Sequence, residues 1–402
     1  MSVMCRQARR LLPAASSLVF RRAGYQNWVS SNALAQLESE CERCCFVPRF
    51  PERKVTIIGA GSDVGQITAL FLKQQCLVKT LALYDEIPER YVLGVANDLA
   101  HIDTSTEVEA YQGRAFLKPS LHNTDVVLIC GGCYITPPCC NQSDRELFFK
   151  NMTQVRTSTL AIAQFAPHAI IVIQTPPVDC NFALCMHTLK MARVYDKRRL
   201  LGINAVNSMR ANQLYCSMTN RDPALSTVAV VGGTSRCTRV PVFSQAPDSV
   251  CVPDSQKECM TRLVREADDI ICRVKSNTEQ GHLSIGFSTA RFVMNLMIGL
   301  FVKPIELDSA LVEQSDPEAC QGLKICATPV KFGKSGIMEC TMPELNEMET
   351  QLLQDAKCDL EDMLNLGRCY AVGDEYYLHP CRICPCPEWP PCPACKVCKA
   401  DN

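Results

Sequence analysis

Two glycine turns and one cluster of thiols are the places where this chain of 402 residues could do chemistry. The first turn is Gly59-Ala60-Gly61-Ser62-Asp63-Val64-Gly65, between a β-branched run and an amphipathic segment. Glycines at that spacing let the backbone turn tightly and approach a pyrophosphate, with a helix N-terminus facing the charge. Asp85 follows 20 residues after Gly65. A carboxylate there accepts from ribose hydroxyls and repels a 2′-phosphate, which points to NAD rather than NADP. Asp63, inside the loop, adds negative charge near the phosphates and weakens that binding. The second turn is Val228-Ala229-Val230-Val231-Gly232-Gly233-Thr234, a strand that runs into glycines and ends on a hydroxyl. Threonine has no pKa near neutrality and cannot exchange a proton as an imidazole does. None of the six histidines (His101, His122, His168, His187, His282, His379) follows a strand into a glycine turn.

The thiols cluster at the C-terminal end. Cys381 and Cys384 form one Cys-x-x-Cys pair, Cys392 and Cys395 another. Four such thiolates suit tetrahedral zinc. The seven intervening residues make a short, proline-stiffened loop for a zinc ribbon. The competing reading is a tail whose thiols cross-link chains or oxidise, and Cys386 and Cys398 are surplus to a four-ligand site. Cys44-Cys45 and Cys139-Cys140 are vicinal pairs that add loose thiols.

The elements that must position these residues read as alternating strands and helices. Lys54 to Ile58 is a buried strand, Ser62 to Cys76 an amphipathic helix, and Leu77 to Tyr84 a second strand. Val92 to Ala100 is helical, Thr124 to Cys130 strand-like, Glu146 to Phe165 a long helix and Ala169 to Gln174 another strand. That alternation implies a parallel sheet with right-handed crossovers. The second half holds a helix through Met209 to Asn220, the strand at Val228–Val231, and helices at Gln256–Thr278 and Ser288–Phe301. A strand pair follows at Leu323–Val330 and Gly336–Cys340, then an amphipathic helix from Met342 to Leu366.

Composition bounds the rest. The length allows two to three domains with a large core. Hydrophobic content of 47% fits a globular protein, and a net charge of −1 gives no reason to expect nucleic acid. No apolar run reads as long enough to span a bilayer. Met1 to Leu37 carries Arg6, Arg9, Arg10, Arg21 and Arg22, and the first acid is Glu38. An Arg-rich, Ser-rich, acid-free start is a mitochondrial transit signature, which places the protein in the matrix. Free thiols are then expected for most of the 27 cysteines. Four regions follow: transit peptide and linker (1–45), an α/β domain holding the dinucleotide-type glycine turn (54–197), a second domain (198–370) and the Cys/Pro-rich tail (379–402).

The chain resembles the mitochondrial malate dehydrogenases over about residues 54 to 366. The likeness rests on Leu83-Tyr84-Asp85, Gly94-Val95-Ala96-Asn97-Asp98-Leu99-Ala100-His101-Ile102, Arg210-Ala211-Asn212, Val231-Gly232-Gly233, Ala290-Arg291-Phe292-Val293, and Thr328-Pro329 followed by Gly333-Lys334-Ser335-Gly336-Ile337. The resemblance implies a Rossmann domain, a mixed α/β substrate domain and a dimer. It further implies three arginines that hold a dicarboxylate and a His–Asp pair that moves the proton. Only Arg210 matches an arginine position. The other two fall on Ile135 and Asp144, with Arg145 one residue late. The histidine position falls on Thr234 and the aspartate position on Asn207. Cofactor contacts carried over from the family fall on Gly59, Gly61, Gly65, Asp85, Asn151, Pro176 and Ile285, and the nicotinamide-side loop reads Thr175-Pro176-Pro177-Val178-Asp179. His282 lies nearest the cofactor-facing helix.

The framework persists while histidine, aspartate and two arginines fail together. The expectation is a malate dehydrogenase-like mitochondrial protein that kept its fold and a weakened NAD site but lost turnover. Its role is then structural or partner-based, as a homodimer, as a heterodimer with an active family member, or in a disulfide-linked assembly. The alternative is an active NAD-dependent 2-hydroxy-acid dehydrogenase with another acid–base group and an altered substrate.

Overall fold

The computed structural model describes residues 53–133, 143–277 and 280–373. Its first half alternates β1 (Lys54–Ile58), α1 (Asp63–Lys73), β2 (Thr80–Asp85), α2 (Val92–Ala100), β3 (Glu107–Gln112), α3 (Leu117–Ser120), β4 (Val126–Ile129), α4 (Asp144–Phe165), β5 (Ile170–Ile173), α5 (Val178–Met191) and β6 (Leu200–Ile203). The second half holds α6 (Ala205–Thr219), β7 (Val230–Gly232), β8 (Arg239–Pro241), α7 (Asp254–Val274), α8 (His282–Phe301), β9 (Ile305–Glu313), β10 (Ile325–Gly333), β11 (Gly336–Cys340) and α9 (Glu347–Val372). The eleven strands form one sheet in the order β3-β2-β1-β4-β5-β6-β9-β10-β7-β8, with β11 on β10. The six strands β1 to β6 pair in parallel. From β6 onward every pairing is antiparallel. The strand order reverses between β1 and β4, and the crevice above that switch point is where a doubly wound sheet takes its ligand.

The parallel strands are short apolar runs because helices cover both of their faces. All five residues of β1 are buried, including Thr56, whose hydroxyl donates to the Ser120 carbonyl at 2.9 Å. β6 follows residue 197, so the parallel sheet continues beyond the boundary expected there. β3, α5, β6 and β9 were not legible as elements. β3 is an edge strand whose acids Glu107 and Glu109 interrupt its apolar positions. α5 is buried nearly all round, so its sequence shows no helical period.

α8 corrects one expectation. By length and hydropathy this 20-residue helix could cross a membrane. It packs instead against α1, β9 and β10, with Gly286 lying against the Ile67 side chain, as a core helix does. It also begins at His282, a turn earlier than the sequence suggests.

α9 crosses α5 at Gly367, where an added Cβ would overlap the Cys180 carbonyl. Two helix backbones therefore touch there, and neither can yield without moving its helix. Gly367→Ala is expected to lower stability by about 1–3 kcal/mol, the usual range for overpacking, read as a lower urea midpoint at unchanged m-value. An unchanged midpoint would show that the two helices separate freely.

Candidate functional site

The first glycine turn lies at the carboxyl end of β1, as its spacing demands. Gly59 has φ +90°, and its Cα faces Gly131 so closely that a side chain on either would collide with the other's backbone. Gly65 lies against the Gly59 carbonyl in the same way. Ser62 caps α1, accepting from the Gly65 N–H at 3.1 Å and donating to the Gly59 carbonyl at 2.7 Å. Asp63 is exposed in the first turn of α1, where the helix dipole favours an acid. This bare-backbone cradle at a helix N-terminus fits a pyrophosphate.

Asp85 ends β2 as expected, but the chain itself has claimed its carboxylate. Oδ2 accepts from the Gly61 N–H at 3.1 Å and Oδ1 from the Ile87 N–H at 3.0 Å. The Arg90 guanidinium lies 3.6 Å from Oδ2, and Asp85 has no exposed surface.

Asn151 does not reach outward from α4. Its Oδ1 accepts from the Cys133 N–H at 2.6 Å, and its Nδ2 donates to the carbonyls of Cys133 at 2.6 Å and Pro176 at 2.7 Å. It therefore clamps the segment after Gly132 to the start of α5. Ile285 is buried in the hydrophobic cluster that also holds Val64.

The second turn belongs to another network. Asp179, in the first turn of α5 and wholly buried, holds the residues after β7. Its Oδ1 accepts from the Thr234 N–H at 3.0 Å; its Oδ2 accepts from the Thr234 N–H at 3.1 Å, the Ser235 N–H at 3.2 Å and the Ser235 hydroxyl at 3.1 Å. Burial pushes the Asp179 carboxyl up, and these donors pull it partly back. Thr234 thus serves as an anchor for its turn. Asn207 reaches that turn only through the main chain, its Nδ2 lying 3.5 Å from the Thr234 carbonyl and 2.6 Å from Asn204 Oδ1.

Arg210 is where its position on α6 predicts, but a carboxylate of the chain faces it. Arg210 Nη1 donates to Asp268 Oδ1 at 2.8 Å, and Arg239 Nη2 donates to Asp268 Oδ2 at 2.6 Å. Arg239 is fully used, since Nε donates to the Thr234 carbonyl at 2.9 Å and Nη1 to the Val264 carbonyl at 3.1 Å. Arg210 keeps its Nε and Nη2 buried without a hydrogen-bond partner among the described residues. Burial alone would raise the Asp268 carboxyl, but the Arg239 and Arg210 guanidinium groups outweigh it and hold it well below the usual range. Asp144 opens α4; burial raises its carboxyl, with Ser235 and Arg239 opposing. The Arg145 guanidinium lies over the Phe149 ring, 5.5 Å from its centroid. Ile135 and the tail cysteines Cys381, Cys384, Cys392 and Cys395 lie outside the described residues. Among the described residues no cluster of three or more His, Cys, Asp or Glu could hold a metal ion.

The comparisons agree with this geometry. Residues 53–202 match the NAD binding domain of lactate/malate dehydrogenase, and residues 206–369 match its alpha/beta C-terminal domain. The chain belongs to the lactate/malate dehydrogenase family. The mitochondrial malate dehydrogenases of Homo sapiens and Sus scrofa are each 30% identical to it over 315 residues, covering 78% of this chain and 90% of theirs. Among solved structures, the apo malate dehydrogenase of Picrophilus torridus superposes with a TM-score of 0.68 at 18% identity, over 80% of this chain and 99% of that one. The lactate dehydrogenase of Eimeria maxima, solved with NADH and oxamate, gives 0.67 at 18%, over 82% and 98%.

The structure brings Thr234, Asn207, Arg210 and Asp144 into one neighbourhood with Asp179, Asp268 and Arg239, which the sequence did not mark as their partners, and it sets Arg90, also unmarked, against Asp85. Asp268 and Asp269 sit on an amphipathic helix where acids read as a solvated face. Nothing local marks an ion pair spanning 58 residues.

The Arg210–Asp268–Arg239 triad yields a stability prediction. The two arginine side chains are 10% and 8% exposed, and Asp268 is 31% exposed. Asp268→Asn is expected to lower stability by on the order of 2 kcal/mol, partial solvation of the carboxylate limiting the loss. The native carboxyl is depressed, so its contribution is present above the unfolded carboxylate pKa and is lost as pH falls through the lower folded value. The wild-type advantage over the variant should stay level from neutral pH down to about pH 4 and shrink only below it. An advantage that fades between pH 7 and 5 would contradict the ion triad.

Proposed function

We propose that this chain is a malate dehydrogenase-like protein of the mitochondrial matrix that has kept the fold and the dinucleotide cradle but does not turn over malate. One observation carries the reading: the turn after β7 presents Thr234, whose N–H is held by the buried Asp179 carboxylate and whose side chain is a hydroxyl with no pKa near neutrality. Removing a hydride from an alcohol leaves a proton that a positioned base must accept. Threonine at this turn accepts none, and loss of a positioned acid–base group lowers rates by ~10²–10⁴. Asn207 supports the same reading, since a neutral amide cannot stabilise an imidazolium. NAD binding is retained, the glycine cradle being intact and the matched family domain being one that binds NAD. The role is structural or partner-based, through a homodimer or pairing with an active family member, with the Cys-rich tail available for cross-links. The Arg-rich, acid-free start and the mitochondrial relatives support the matrix address.

A second reading has one observation behind it. Asp144 is a partly buried carboxylate beside Ser235 whose affinity for protons is raised by burial, and a raised carboxyl can serve as an acid–base group. Under that reading the protein is an NAD-dependent dehydrogenase of another 2-hydroxy acid, and Asp144→Asn abolishes its activity.

The test is oxidation of NADH by the purified chain with oxaloacetate and a panel of 2-oxo acids. The expected result is no turnover above ~1% of the human mitochondrial enzyme, in line with the loss of acid–base catalysis. Turnover within about tenfold of that enzyme would end the first reading, and its sensitivity to Asp144→Asn would establish the second. Fusion of residues 1–45 to a fluorescent reporter is expected to carry it into the matrix; a cytosolic reporter would remove the address.

A further inference from the structure

Arg90 lies across the crevice in which the proposed dinucleotide would be held. It ends a short helical turn at Pro88–Arg90, and Tyr91 behind it adopts a left-handed conformation at φ +48°. Its Cβ lies 2.6 Å from where a Cβ on Gly61 would stand, so its stem runs against the glycine turn. Its Nη1 faces Asp85 Oδ2 at 3.6 Å, buried and without a hydrogen-bond partner among the described residues. Its Nη2 donates to the Gly132 carbonyl at 3.0 Å. The side chain therefore starts beside β2, passes the end of β1 and finishes at the turn after β4. Those three strands are adjacent in the order β2-β1-β4, and the gap between β1 and β4 is the switch point.

We propose that Arg90 occupies the adenosine-ribose subsite and is the residue that sets both the affinity and the selectivity of the crevice for dinucleotides. Two consequences follow from charge. With Arg90 in place, the acceptor that should receive ribose hydroxyls is covered, so NAD binds only after an ion pair is broken. The same ion pair neutralises Asp85, so the carboxylate no longer repels a 2′-phosphate and NAD loses its advantage over NADP. The crevice is self-occupied and poorly selective, although its glycines and its acid are all present. This inference rests on the reading of the crevice as a dinucleotide site.

Calorimetric titration of the full chain and of Arg90→Ala with NADH, ADP-ribose and NADPH tests it. The variant is expected to bind NADH and ADP-ribose about tenfold or more tightly than the wild type, since a charged acceptor regains its hydroxyl donors. NADPH should not share the gain, because bare Asp85 repels its 2′-phosphate. Arg90→Lys, which keeps a cation but cannot span from Asp85 to Gly132, should fall between the two. A second change, Asp85→Asn in the Arg90→Ala background, should remove the preference for NADH over NADPH; matching circular dichroism and melting temperatures confirm that all variants fold. Equal NADH affinity in wild type and Arg90→Ala, or equal gains for NADH and NADPH, would overturn the role of Arg90 while leaving the dinucleotide site standing. Silence of both proteins toward all three ligands would instead overturn the dinucleotide reading itself, and this one with it.

Discussion

The turn after β7 is tied to the first half of the chain by the Asp179 carboxylate. A wholly buried carboxylate must be matched by donors or give up its charge. Here Thr234 and Ser235 supply the donors. Because Asp179 belongs to α5 and the donors belong to the turn after β7, satisfying one buried group ties the cofactor side of the molecule to the substrate side. The bond fixes the main chain of Thr234 against α5, and so fixes where its side chain stands.

The same logic explains Arg210. A guanidinium at 10% exposure with no counter-charge would be expensive in a low-dielectric surrounding. A binding site normally tolerates that strain because the ligand brings the missing carboxylate. In this chain Asp268 brings it permanently and shares it with Arg239, which in turn holds the Thr234 carbonyl. The triad is thus continuous with the Asp179 network. One side of Arg210 is compensated, while its Nε–Nη2 fork stays buried and unpartnered among the described residues.

Much of the architecture was legible in the sequence, for physical reasons. A glycine turn between a β-branched run and an amphipathic helix, with an acid at the end of the next strand, constrains the backbone locally, and Gly59, Gly65 and Asp85 stand where that constraint puts them. The elements that escaped lack a local period. α5 is apolar on nearly every face, and β9 (I-E-L-D-S-A-L-V-E) mixes acids among its apolar residues at the point where the parallel sheet turns antiparallel. The positions of Thr234, Asn207 and Arg210 were also legible, because each is fixed by a framework motif beside it. Their partners were not. Asp268, Arg239 and Asp179 meet only in the folded state, and an acid on an amphipathic helix reads the same whether it faces water or an arginine.

Arg90 and Asp268 can be understood together. Each places an opposite charge against a group that a ligand would otherwise contact, ribose hydroxyls donating to Asp85 in one case and a carboxylate pairing with Arg210 in the other. A chain that merely lost catalytic side chains would leave those groups facing an empty, partly desolvated cleft, with nothing to compensate them. Compensation from within removes that penalty and makes the fold independent of occupancy. It also changes what binding means, since a ligand must now displace an existing ion pair and gains only the difference between two similar interactions. Retention of every framework glycine is compatible with weak ligand affinity on this account. The glycines answer to close backbone packing, Gly59 on Gly131 and Gly65 on Gly59, which the fold requires whether or not a dinucleotide is present.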